Sequence, residues 1–569
     1  MSSQYQAPLS DMQFQLFDVW QVQQHWQQVP ALAEQLEPET AQAILQEAAK
    51  ICEQQIAPQS QLADQTGVRL EQGEVSTPEH YKACYQAWCE GGWAGFSGDP
   101  EYGGMGMPKV LSMMLDEMMC SADIAFSLYP GLTAGACVTL QQYASDEVKA
   151  LYLPKLYNGE WSATMCLTES HAGSDLGLMR TKAEPQADGS YHISGSKIFI
   201  TAGEHDLTDN IIHLVLAKLP DAPAGSRGIS LFIVPKFIPD AAGQPGTRNA
   251  LHCGSIEHKM GIHGSATCVM NFDGAVGYLL GDPHKGLAAM FTMMNYERLA
   301  MGSQGLGAAE RAWQNALAYA NDRLQGRISE RDANKAEPII RHPDVQRMLY
   351  TIQSLNEAGR SFSTWVALQL DKAKYSDDEQ GQQLANLLTP IAKAFMTDLG
   401  LECTVQAQQV FGGHGYVKEW GMEQLVRDVR IAQIYEGTNG IQAADFLLRK
   451  VAGDKGAVLQ QLYREIESWL DTSNVLHQQL ASYLLRCQQL TESLLKRGSE
   501  NKALLADYAY DFMTLNGYLL YGYMWLKQIE ALERAEIADE TKQQKQKLAH
   551  FYFARILPRV ETFIAIMQD

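Results

Sequence analysis

The sequence predicts an α+β protein in which a β domain lies between helical regions. Three observations predict it. Apolar residues recur at helical spacing over residues 38–160, and again from Leu287 to about residue 450. Between them, "YHISGSKIFITAG", "NIIHLVLAKL" and "GISLFIVPKF" are β-branched and aromatic runs broken by Gly, Pro and Asp. The helical period returns after residue 455 in Leu- and Tyr-rich stretches such as "DYAYDFMTLNGYLLYGYMWLKQIEALE".

Taken in order, residues 1–37 form a Gln-rich extension. Met12, Phe14, Leu16, Phe17 and Trp20 recur at helical spacing there, so one or two docked helices are expected. Residues 38–160 read as an N-terminal helical domain. In it "AQAILQEAAKICEQQIAP" is amphipathic and "VLSMMLDEMMCSADIAFSLY" is more deeply buried. The glycine-proline stretch "GGWAGFSGDPEYGGMGMP" between them is a loop. Residues 161–283 form the middle β domain, 284–452 a helical bundle, and 453–569 an additional C-terminal helical domain. Basic and acidic residues nearly balance in that last segment, so it is not a basic arm.

The chain has 569 residues, enough for several domains with ample core. Its formal net charge of -21 argues against non-specific nucleic-acid or anionic-membrane binding. It still allows a small anionic ligand held by local Arg and helix N-termini. The 10 cysteines form no CxxC pair, and the start is not signal-like, so reduced thiols and a cytoplasmic location are expected. No apolar run approaches the ~18 residues of a membrane span. The 14 His are dispersed without an HExxH motif, so no metal is expected.

Five stretches carry possible chemistry. "MCLTESHAGSDLG" (165–177) is a polar, tight-turning segment after an apolar strand. It suits a loop that cradles a pyrophosphate or bonds a ring, or an ordinary loop. "QQVFGGHGY" (408–416) allows close backbone approach to a ligand, or a helix C-cap and turn; His414 reads as a loop histidine. "GSQGLGAAE" (302–310) has the wrong spacing for a dinucleotide fingerprint. It reads as a small-residue face for close helix packing. "MMNYERLAM" (293–301) places Glu297 and Arg298 on an apolar helix. Sequence neighbours diverge there, so one is expected in a pocket and the other in solvent. In "IYEGTNGIQ" (434–442), Glu436 sits on a Gly-flanked turn. The residues alone leave open a helix N-cap acid or a desolvated base.

Together these stretches resemble the acyl-CoA dehydrogenase family. "MCLTESHAGSD" is similar to the family's first signature, xCxTEPxAGSD, with Ser170 in place of Pro. "QVFGGHGYVKEWGMEQLVRDVRIAQIYEGTNGIQ" resembles the second almost throughout. The opening "YQAPLSDMQFQLFDVW" and the long C-terminal segment resemble a larger bacterial branch. That branch holds methylthiopropionyl-CoA dehydrogenases and broad-range fatty acyl-CoA dehydrogenases. The resemblance implies the family's fold, with residues 284–452 as a four-helix bundle. It also implies FAD, an acyl-CoA substrate, an electron-transfer flavoprotein as acceptor and a homodimer.

Carried over position by position, the resemblance implies flavin contacts from Met165, Leu167, Thr168, Ser174, Phe199 and Thr201. It implies further FAD contacts from Arg323, Gln409, Gly413 and Thr438. Arg323 matches an Arg that reaches the FAD of a partner subunit. Ser174, Met294, Asn295, Arg298, Tyr435 and Gly437 fall at substrate-binding positions, and Glu436 at that of the catalytic base. Glu297 matches the position from which some members supply the base instead; its implied role here is shaping or tuning the pocket. The implied reaction is α,β-dehydrogenation to a trans-2-enoyl-CoA, with hydride passing to flavin N5 and the proton to Glu436. A straight medium- to long-chain acyl-CoA is the expected substrate. Methylthiopropionyl-CoA and an oxygen-using acyl-CoA oxidase are the alternatives. DNA-associated relatives carry a basic C-terminal domain, which this chain lacks.

Overall fold

A computed structural model describes residues 4–328 and 335–568. The chain forms two compact units. One comprises Gln54–Met107 and Asp123–Glu297; the other comprises Met1–Glu53, Pro108–Ala122 and Arg298–Asp569. Among the described residues no helix is long and apolar enough to cross a membrane.

The first unit is built on seven strands: β1 (Trp161–Cys166), β2 (Lys182–Pro185), β3 (Tyr191–Thr201), β4 (Asn210–Lys218), β5 (Ile229–Pro235), β6 (Leu251–Ile256) and β7 (Thr267–Leu280). Pairings β2–β3–β7–β5–β4–β2 run round a closed ring, with β1 parallel to β4 and β6 antiparallel to β7 as added strands. Every residue of β5 is buried, and all of β4 except Lys218, which is why these two read as continuous apolar runs. Ile193, Val215, Phe232, Met270 and Phe272 fill the core.

Helical elements flank this sheet within the same unit. The expected single buried stretch at 110–129 is interrupted at Asp123. Its carboxylate accepts the N–H groups of Ala125 and Phe126 and so starts the helix Ile124–Tyr143. The helical expectation for 38–160 also missed a hairpin, Arg69–Glu71 with Glu74–Ser76. Gln72 and Gly73, both at positive φ, turn it.

The second unit is helical. Its long members are α1 (Gly286–Asp322, from Arg298 onward), α2 (Pro343–Ser376) and α3 (Glu379–Val410). The small-residue face at 302–310 works as expected. A Cβ on Gly305 would lie 2.4 Å from the Met396 carbonyl oxygen, and one on Gly400 would lie 2.5 Å from the Cα of Gly305. No larger residue fits at this helix crossing. After α3, short turns and the helix Met422–Arg430 lead to α4 (Asn439–Ala444), which continues as a π-helical turn, Asp445–Val451.

Helices α5 (Val475–Glu500), α6 (Lys502–Ala531) and α7 (Asp539–Arg555) follow. Most of α6 is buried. Its Trp525 donates to the Ser354 carbonyl at 3.0 Å, and Phe395 lies against Gly517. Among the described residues the N-terminal extension holds three helical pieces rather than one or two: Leu9–Gln13 running on as the π-helical Phe14–Val19, then Val22–Trp26 and Pro30–Ala33. Gln21, in the left-handed region, breaks the path, and Trp20 stacks on Trp365 at 5.7 Å.

Candidate active site

The acid of "IYEGTNGIQ" stands on a strained turn. Glu436 has φ +55° and is followed by Gly437 at +83°. A non-glycine residue in the left-handed region stores strain that its surroundings must hold. Those surroundings are polar. Gln442 Nε2 donates to the Glu436 carbonyl at 3.2 Å, and the Tyr435 hydroxyl donates to Gln304. A Cβ on Gly437 would meet the movable Gln442 amide at 2.7 Å, but the φ of +83° is what requires glycine there. The cap of α4 is Thr438, whose hydroxyl accepts the Ile441 N–H at 3.3 Å; the acid is therefore not the N-cap. The backbone N–H of Glu436 finds no acceptor among the described residues.

Burial pushes the Glu436 carboxyl up to about 7, against the opposing pull of Arg298 and Lys393. Both cations are themselves buried, Arg298 at 8% exposure and Lys393 at 0%. Burial lowers both; that of Lys393 falls to about 8, with Glu436 and Asp398 resisting. A carboxyl poised near neutrality and flanked by cations suits a general base.

The pair Glu297 and Arg298 departs from expectation, because neither side chain is solvated. Arg298 pairs with Asp445 at 3.9 Å. Glu297 is 1% exposed, and its Oε1 lies 2.4 Å from where a Cβ on Gly135 would be. The helical hydrophobic context buries both, each with its own neighbours.

In the sheet unit, the loop after β1 is tied down from below. Glu169 accepts the Thr181 hydroxyl at 2.6 Å, the Arg180 N–H at 2.7 Å and Lys197 Nζ at 3.0 Å. Burial works against its ionisation, but Lys197 and these hydrogen bonds hold it at about 2. Lys197 also donates to the Leu167 carbonyl at 3.0 Å, and the Ile198 N–H donates to the Thr168 carbonyl at 2.9 Å. These bonds bring Leu167 and Thr168 beside Lys197 and Ile198, next in sequence to Phe199. Met165 is half-buried on β1, Ser174 is exposed farther along the loop, Met294 is half-buried and Asn295 exposed. Phe199 is held at φ +58° with 60% of its surface exposed.

An exposed aromatic on strained backbone, one residue past the bond to Thr168 and two before Thr201, fits stacking on a flavin ring. In the helical unit, Arg323, Gln409, Gly413 and Thr438 are exposed. A Cβ on Gly412 or Gly413 would meet nothing within 4 Å, which leaves room for a ligand on the backbone. His414, expected in a loop, lies in the 3-10 helix Gly412–Tyr416, stacked on Trp420 at 4.4 Å and bonded to the Tyr319 hydroxyl at 3.0 Å. Sequence reasoning missed Lys393, Asp398 and Gln442. The signal available was a lone Lys and a lone Asp within the apolar run "PIAKAFMTDLG".

Comparisons with known proteins identify the family. Family models match for the acyl-CoA dehydrogenase N-terminal domain (38–160), middle domain (164–275) and C-terminal domain (284–449), and for an acetyl-CoA dehydrogenase C-terminal-like domain (462–569). A 3-methylmercaptopropionyl-CoA dehydrogenase of Ruegeria pomeroyi is 43% identical over 94% of this chain and 92% of its own. The broad-specificity linear acyl-CoA dehydrogenase FadE5 of Mycobacterium tuberculosis is 32% identical over 98% of this chain and 96% of its own. An acyl-CoA dehydrogenase structure from Bacillus anthracis, complexed with FAD, shares the fold with a TM-score of 0.77 at 22% identity. It covers 95% of this chain and 90% of that one. The chain belongs to the acyl-CoA dehydrogenase family, FAD-dependent oxidoreductases.

Proposed function

We propose that this enzyme converts a saturated acyl-CoA to its trans-2-enoyl-CoA, with Glu436 removing the α-proton. The observation that carries this reading is the Glu436 turn, a half-buried acid shifted to about 7 on a strained, glycine-backed corner. When ionised, the carboxylate accepts the α-proton. The free backbone N–H of Glu436 is the chain's own donor for the thioester oxygen, a type of contact worth about 3 kcal/mol. FAD, when bound, supplies the acceptor for the β-hydrogen as hydride. In the sheet unit, Met165, Leu167, Thr168, Ser174, Phe199 and Thr201 would hold its ring side. In the helical unit, Arg323, Gln409, Gly413 and Thr438 are the proposed nucleotide contacts, with Arg323 directed to the FAD of a partner subunit. An electron-transfer flavoprotein is the proposed acceptor and a homodimer the proposed assembly. Rapid oxygen consumption by the reduced enzyme would favour an oxidase instead.

For the acyl group, we place a short chain of about four heavy atoms first, and the medium- to long-chain expectation second. Glu297, at a position where the family resemblance implies pocket shaping, fills the space over Gly135 within the sheet unit, which supports a shorter chain. The relative at 43% identity is named for 3-methylmercaptopropionyl-CoA, which agrees with a short substrate. Loss of flavin absorbance across 3-methylmercaptopropionyl-, butanoyl-, octanoyl- and palmitoyl-CoA tests both levels. The fastest reduction is expected with the first two. A maximum at octanoyl-CoA or beyond would restore the longer substrate, and no reduction with any of them would refute the activity. Glu297→Ala should move the optimum toward longer chains.

A further inference from the structure

The Glu436 turn is held from outside by one carboxylate. Asp398, on α3, uses a single oxygen, Oδ1, to accept two side-chain amides, those of Gln433 and Asn439 (2.7 Å). These residues stand three positions before and three after Glu436, so one oxygen ties both ends of the strained turn. Asn439 is locked further. Its amide oxygen accepts Lys393 Nζ at 2.8 Å, and its amide nitrogen also donates to the Ala394 carbonyl and the Thr397 hydroxyl, each at 3.0 Å. Asn439 is 6% exposed and Lys393 0%. The second Asp398 oxygen, Oδ2, accepts the hydroxyl of Tyr510, which belongs to α6 in the C-terminal helices.

We infer that Asp398 is a positioning residue for Glu436, and that Tyr510 makes the C-terminal helices part of that support. The inference rests on the proposed role of Glu436 as base. A left-handed residue keeps its conformation only where its surroundings over-determine it, and a clamp at both ends does this. Freed at either end, the turn can relax toward ordinary backbone angles and carry the carboxylate away from its aim. A displacement of about 1 Å at a reacting group costs on the order of 100-fold in rate. The C-terminal helices thereby gain a role in catalysis besides burial of apolar surface. Tyr510 is 42% exposed, so its hydroxyl can be deleted with little loss of packing.

Asp398→Ala and Tyr510→Phe test this, with Glu436→Gln alongside. The probe is butanoyl-CoA, protonated and deuterated at C2, mixed anaerobically with FAD-loaded full-length enzyme. Asp398→Ala should slow flavin reduction per bound FAD on the order of 100-fold. Tyr510→Phe should slow it roughly fivefold, as expected for one hydrogen bond. In both, the Kd for butanoyl-CoA should stay within about twofold, and the C2-deuterium isotope effect should rise because proton removal becomes more limiting. A purely structural role would lower thermal stability without moving the isotope effect. Native reduction rates per FAD in both variants would overturn the inference. A native rate in Tyr510→Phe alone would overturn the part given to the C-terminal helices and leave Asp398 supported. A native rate in Glu436→Gln would overturn the base assignment itself, and this inference with it, whatever the other two variants do.

Discussion

At the scale of single residues, the chemistry turns on how one carboxyl is priced by its surroundings. Burial raises Glu436 from 4.5 to about 7, although two cations act on it. The base must be ionised to work, so kcat/KM should rise with pH through about 7 and then level off. Removing a cation removes part of the downward pull. Lys393→Met should therefore move this limb to higher pH, and a pH–rate profile reads it directly. Stability carries the opposite sign. The folded state keeps this proton to higher pH than the unfolded chain, so native stability falls as pH rises from about 4.5 through about 7. Glu436→Gln lacks the titration. Its melting temperature relative to the native enzyme should climb across that window and stay constant above it, as thermal scans at pH 5, 7 and 8 would show. Glu297 has a different task, filling space over Gly135, so Glu297→Gln should keep flavin reduction within a few-fold of native.

At the scale of elements, helix crossings and turns fix what the residues can do. Gly437→Ala introduces a Cβ 2.7 Å from Gln442 Nε2 at a φ of +83°. It should cost about 1–3 kcal/mol and lower the reduction rate, because the strain falls on the acid turn itself. Gly305→Ala would press α1 against the Met396 carbonyl of α3. It should cost about 1–3 kcal/mol, measured by denaturant unfolding, with reduction per folded, FAD-loaded enzyme little changed. The glycines of "GSQGLGAAE" and the break at "EGTNG" were legible in the sequence, because glycine marks backbone that a side chain would obstruct. Lys393 and Asp398 were not. A lone charge in an apolar helical run reads equally as a snorkelling side chain or a solvated edge. Only the fold brings Asp398 to residues 433 and 439. The residues alone left an N-cap role open for Glu436; in the fold Thr438, nearer the helix, takes that position.

At the scale of the whole chain, the order of helical and β regions could be read from hydrophobic period alone. What joins the N-terminal extension to the helical unit could not. Arg360, 1% exposed, is bonded to Glu117, Glu310 and Asp11, while Lys545 on α7 is bonded to Asp11 and to Glu357 at 2.8 Å. These partners lie 50 to 534 positions apart in sequence, and no local pattern links them. Arg360→Met would leave several carboxylates buried without their cation and should cost about 3–5 kcal/mol, read as a drop in the denaturation midpoint. Burial opposes the ionisation of Asp11, but Lys545 and Arg360 hold its pKa at about 2, below its ordinary 3.8. Its contribution is present above about 3.8 and is lost as pH falls through about 2. The most direct test of the enzyme's proposed chemistry is single-turnover flavin reduction by butanoyl-CoA in the native protein and in Glu436→Gln, each loaded with FAD. The variant should bind the thioester and reduce its flavin at least ~100-fold more slowly. Reduction at the native rate would show that another group takes the proton.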